Sequence, residues 1–166
     1  MIIRLSQKLA TKIRSGSLSE VPLHERQIAD WSATLFNVGR THYALLSNTA
    51  SLFTCLMIAK GLTNSELFEQ RAAEVIGDAV RRFGQNHKQR ITEFQSPFSY
   101  AKSLNRSVIG SMNDLVFGGR LIIEGGIDLQ ETADRLNTTP LKALTNRDGR
   151  RYANPSEVFL RIIEDA

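Results

Sequence analysis

An α+β domain is the architecture this sequence predicts: a small, mainly antiparallel sheet, made of a hairpin at about residues 33–46 plus short strands, packed with about five or six helices. Three observations predict it. Residues 33–46 alternate in polarity on either side of Gly39-Arg40. Helix-start signatures recur at Thr63, Asp128 and Asn154, and the elements show no regular strand–helix alternation of the kind that builds a doubly wound sheet.

The elements follow in order. Ile2 to Leu5 reads as a short strand, and Ser6 caps a helix through Ile13 that stops at Ser15-Gly16. Residues 15–24, with three serines, Gly16 and Pro22, form a loop. Trp31 opens a run in which Ala33, Leu35 and Asn37 alternate with Thr34, Phe36 and Val38; Gly39-Arg40 turns it, and Thr41 to Leu46 has the composition of the partner strand. Ser47 and Asn48 are then capping candidates for a buried helix over Thr49 to Lys60, closed by Gly61.

Thr63 and Glu66 have capping-box spacing, so a long helix runs to Phe83 and ends at Gly84, burying Leu67, Ala72, Val75, Ala79 and Phe83. Residues 89–95 alternate briefly and read as a short strand. A helix begins near Asn105 and continues to Gly125-Gly126, with a weak point at Gly118-Gly119. Asp128 and Glu131 open another, running through Leu136, and Asn154-Pro155-Ser156-Glu157 opens a terminal helix that buries Val158, Phe159, Ile162 and Ile163. With no repeat or linker in 166 residues, the chain is expected to be one globular domain, with its helices on one face of the sheet.

The most informative stretch is Asn105 to Phe117. At helical spacing Val108, Ile109, Met112, Leu115 and Val116 make a core stripe, whereas Arg106, Ser107, Gly110, Ser111, Asn113 and Asp114 share the other side. Glycine inside a helix costs about 1 kcal/mol relative to alanine. Two readings account for Gly110. In one the glycine and small hydroxyls admit a visiting backbone, ligand or nucleotide, framed by Arg106, Asn113 and Asp114. In the other Gly110 packs tightly on a neighbouring element and Arg106 pairs with Asp114 or another carboxylate.

Composition narrows the function classes. A net charge of +4 and a pI near 9.5 permit weak attraction to nucleic acid. Two basic clusters could carry it: Arg81, Arg82, His87, Lys88 and Arg90, then Lys142, Arg147, Arg150 and Arg151 beside Tyr152. The lone Cys55 cannot form an internal disulfide and reads as a small core hydrophobe, which fits a cytoplasmic location; no signal peptide or membrane span is expected. His24, His42 and His87 share no metal-ligand spacing with Cys55, so neither metal nor cofactor is expected. Gly118-Gly119 and Gly125-Gly126 lack the spacing of a phosphate loop, and neither Ser107 nor Ser111 sits in a nucleophile elbow.

Trp31-x-Ala33-x-Leu35-Phe36 followed by Arg40, Leu46 and Asn48, then the run Asn105 to Asp114, then Leu136-Asn137-Thr138-Thr139-Pro140, resemble a family of small, uncharacterised bacterial proteins classed as a domain of unknown function. The resemblance implies a shared fold and a shared polar surface, with Trp31 and Asn48 joining the motif residues, but no reaction. Three functions remain open. The first is an interaction module that binds protein or nucleic acid through Arg106, Ser107, Gly110, Ser111, Asn113 and Asp114. The second is a metal-independent ribonuclease of a toxin–antitoxin type, with Arg40 and Arg106 holding phosphate and His42 moving the proton. The third is a homo-oligomeric structural protein pairing through the same helix.

Overall fold

The computed structural model describes residues 1–83, 97–103, 105–145, 149 and 152–165. Strand β1 (Ile2–Leu5) is followed by helix α1 (Gln7–Ile13), a single 3-10 turn (Gln27–Ala29), β2 (Asp30–Val38), β3 (Thr41–Asn48) and β4 (Thr54–Ile58). After these come α2 (Ser65–Phe83), β5 (Ser99–Lys102), α3 (Arg106–Glu124), α4 (Leu129–Thr138) and α5 (Pro155–Asp165). The sheet order is β4-β3-β2-β1-β5.

The α+β class holds, but the sheet is mixed rather than mainly antiparallel. β1 lies parallel to both β2 and β5, while the pairings of β3 with β2 and β4 are antiparallel. The parallel half exists because α1 carries the chain from the end of β1 back to the start of β2, and α2 lies on the connection that leads to β5. The hairpin is longer than predicted and turns where expected. Gly39 takes the first central position at φ 56 while Arg40 keeps a negative φ, the pattern of a two-residue turn that suits the strand twist.

Strand alternation divides the interior. Ile3 and Leu5, Trp31 and Ala33, Ala44 and Leu46, and Cys55 and Met57 point to one face, where α1, α2 and α5 cover them with Leu9, Ile13, Phe68, Ile76 and Phe159. Phe53 stacks on Phe159 at 4.3 Å between ring centres, and Trp31 meets the same ring edge-on at 5.9 Å. Phe36, Leu45 and Leu56 point to the other face, under Met112 and Leu115 of α3 and Ala133 and Leu136 of α4. Helices therefore cover both faces, not one as predicted, because the inner strands carry apolar residues on both sides of the pleat.

Two predicted elements change. Thr49 to Lys60 is not a helix: Asn48 does cap a turn, its Oδ1 accepting from the Ser51 N–H at 3.0 Å, but the chain makes one turn, enters the left-handed region at Leu52 (φ 59) and leaves as β4. An unbroken apolar run fits either a buried helix or a buried strand, and only the partner strand β3 decides. In α2 the cap is Asn64, whose Oδ1 accepts from the Leu67 N–H at 2.8 Å, one residue after the predicted Thr63. The predicted strand at 89–95 lies outside the described residues, while β5, too short to show a pattern, went unpredicted.

A buried ion pair joins the sheet to the loop beside it. Arg4 Nε and Nη2 donate to the two Asp30 carboxylate oxygens at 2.9 and 2.8 Å, and Nη1 and Nη2 also reach the carbonyls of Val21 and Pro22. Every partner of this guanidinium fixes position, so the 19–24 loop is held along the β1–β5 side, where the Lys102 N–H donates to the Ser19 carbonyl.

Candidate functional site

Helix α3 forms the candidate surface. Asn105 caps it, Oδ1 accepting from the Ser107 and Val108 N–H groups at 2.9 and 3.3 Å. Met112, Leu115 and Gly119 face inward, crossing β2 and packing on α4. The helix is unbroken from Arg106 to Glu124, where the sequence predicts a weak point at Gly118-Gly119. Leu136 of α4 explains the continuity: a Cβ on Gly118 would lie 3.2 Å from Leu136 Cδ2 and one on Gly119 3.4 Å from Cδ1. These two glycines are the close-packing positions of α3.

Gly110 is not. A Cβ there would have nothing within 4 Å, so the glycine faces open space rather than a neighbouring element. Arg106, Asn113 and Asp114 are exposed around it, and neither Arg106 nor Asp114 forms an ion pair among the described residues. The same outward line continues past the predicted motif into apolar residues. Phe117 is 65% exposed, Leu121 54% and Ile109 37%, and the exposed Arg120 and Glu124 complete it. Positions 106, 110, 113, 117, 120 and 124 alternate steps of four and three, the spacing of a coiled-coil seam. That spacing is readable in the sequence, and a motif that stops at Phe117 hides it.

Hollows flank the first half of the helix. Ser107 and Ser111 line one of about 290 Å³ with His24, Gln27, Asp30 and Thr49, and Asn113 lines another of about 360 Å³ with Gln7, Lys102 and Met112. Both serine hydroxyls thus stand to the side of the outward line.

The remaining site residues lie elsewhere. Trp31 is fully buried with its Nε1 donating to the Ile28 carbonyl at 2.9 Å. Asn48 is fully buried too; Nδ2 donates to the carbonyls of Gln27 and Asp30, and Oδ1 accepts from Ser51 N–H and Oγ. Both side chains are occupied in holding β2, β3 and the 48–53 turn together, and neither reaches a visitor.

His42 and Arg40 sit at the hairpin turn. His42 is in phase with Ala44 and Leu46, on the face opposite α3. The start of α3, by contrast, borders Thr49 and Asp30 at the far end of the hairpin. The extended chain from His42 to Asn48 spans about 20 Å. Arg106 and His42 are thereby separated by both the thickness of the sheet and the length of a strand, and the fold does not bring the two side chains together.

Cys55 is buried against α2 as a core residue, and burial pushes its thiol up to about 12; nearby Arg82 opposes the shift and Asp134 adds to it. Both charges line a hollow of about 480 Å³ between α2 and α4, along β4. Of the basic clusters, Arg81 pairs with Asp78, Lys142 and Tyr152 are exposed, and His87, Lys88, Arg90, Arg147, Arg150 and Arg151 lie outside the described residues. No described helix is long and apolar enough to cross a membrane.

No curated protein matches the chain. A family model does, over residues 2–158, and the chain therefore belongs to the family described as a domain of unknown function, DUF6933.

Proposed function

We propose that this chain is a protein-binding module whose contact surface is the outward line of α3, Arg106 through Leu121. The observation that carries the reading is the conjunction of Gly110, open to solvent, with Phe117 and Leu121, more than half exposed, on one helix face. Large apolar side chains held in water on a regular element are what a protein partner covers. The line also carries both signs of charge, Arg106 and Arg120 against Asp114 and Glu124, which suits a protein better than a polyanion. The module works in the cytoplasm on this reading, in keeping with its single unpaired cysteine.

The test is site-specific photo-crosslinking in cells. A benzophenone amino acid at position 113 is expected to give protein adducts that vanish when Phe117→Glu is added, whereas the same probe at Glu74, exposed on α2, gives none of them. Identical adducts from both positions, or none from 113, would overturn the proposal. Salt-dependent binding of labelled RNA or DNA that Phe117→Glu leaves intact would replace it with a nucleic-acid reading.

A further inference from the structure

Taking α3 as the contact face, we infer that its partner is a second copy of the same helix, packed antiparallel about a two-fold axis level with Leu115. The inference rests on the order of side chains along the line. In that register complementary charge and complementary size coincide. Arg106 meets the partner's Glu124, so opposite charges close both ends of the contact. Gly110 meets the partner's Arg120, the smallest residue against a long one, which brings the guanidinium within reach of Asp114 one turn further on. Asn113 meets the partner's Phe117 at the centre of the seam.

A parallel pair has none of this. It stacks Arg106 on Arg106 and Glu124 on Glu124, like charge on like charge. The antiparallel contact is isologous, so it closes with two chains and leaves no matching face over. Its seam runs the length of α3, about 27 Å for a nineteen-residue helix. None of the four charged residues has an ion pair among the described residues to give up.

Sedimentation equilibrium of the whole chain provides the test. Wild type is expected to dimerise reversibly. Arg106→Glu and Glu124→Arg each place two like-charge contacts in the homodimer and weaken it by roughly 10- to 100-fold. Mixing the two variants restores dimers, because the carboxylate introduced at position 106 of one chain then faces the guanidinium introduced at position 124 of the other, and both ends attract. Each substitution places its new charge favourably on the helix dipole, so unchanged circular dichroism accompanies the loss. Phe117→Glu abolishes association in every combination.

A dimer indifferent to all three substitutions, or single variants whose mixture fails to associate while wild type does, overturns the inference. A chain that stays monomeric at all concentrations overturns it as well. In that case a Phe117-dependent adduct to a different protein from position 113 leaves the contact-face reading standing, and its absence removes both.

Discussion

The Asn137 carboxamide accepts from the Thr54 N–H at 2.7 Å and donates to the Thr54 carbonyl at 2.8 Å, making on the open edge of β4 the two bonds that another strand would make. The residue sits at the end of α4, just past the point where the sequence predicts the helix to stop, so nothing nearby hints at its partner 83 positions away. Both the amide and Thr54 are buried. Asn137→Ala should therefore leave a donor and an acceptor unpaired at the edge and cost about 2–4 kcal/mol, read from urea unfolding. A loss below about 0.5 kcal/mol would mean that water replaces the amide freely.

At the scale of the element, α3 carries three interior glycines in two different situations. Gly110 has ordinary helical dihedrals and open space around it, so Gly110→Ala should stabilise the chain by about 0.5–1 kcal/mol. Gly118→Ala gains the same propensity but sets a methyl 3.2 Å from Leu136 Cδ2, and the tip of that leucine must shift. The net effect there should be near zero or destabilising. Thermal melts of the two variants side by side check the contrast, and equal stabilisation would show that α4 does not press on α3 as described. The spacing of α3 was legible in the sequence, as was its cap, but the sorting of its glycines was not. That sorting depends on where α4 returns across the helix.

Across the whole molecule, the buried Cys55 thiol and the half-buried Tyr100 phenol make stability sensitive to alkali. Burial holds the Cys55 thiol up to about 12 against an ordinary value of 9.0. Burial likewise raises Tyr100, with the Glu69 carboxylate adding to the shift by accepting from its hydroxyl at 2.9 Å. Above pH 9 the unfolded chain releases the cysteine proton and the folded chain keeps it, so the folded state binds more protons and stability falls as pH rises. The expected loss from Cys55 is roughly 1.4 kcal/mol per pH unit between 9 and 12, with Tyr100 acting in the same direction. Urea titrations at stepped pH measure it, and Cys55→Ala should flatten the slope. An unchanged slope in that variant would assign the loss elsewhere.

What the sequence determined by itself was whatever a few neighbouring residues suffice to define. Ser6, Asn105, Asp128 and Asn154 place helix starts because a side-chain oxygen satisfies an amide two or three residues on, and Gly39 places the hairpin because the turn needs its backbone freedom. The tertiary structure alone decided that 54–58 is a strand, that β5 joins β1, and that the sheet is mixed and covered on both faces. It also decided that Trp31 and Asn48 are sealed inside while Gly110 and Phe117 stand open. Each of these outcomes turns on which distant segment arrives against a residue, and an apolar or glycine position reads the same along the chain whether that segment is present or missing.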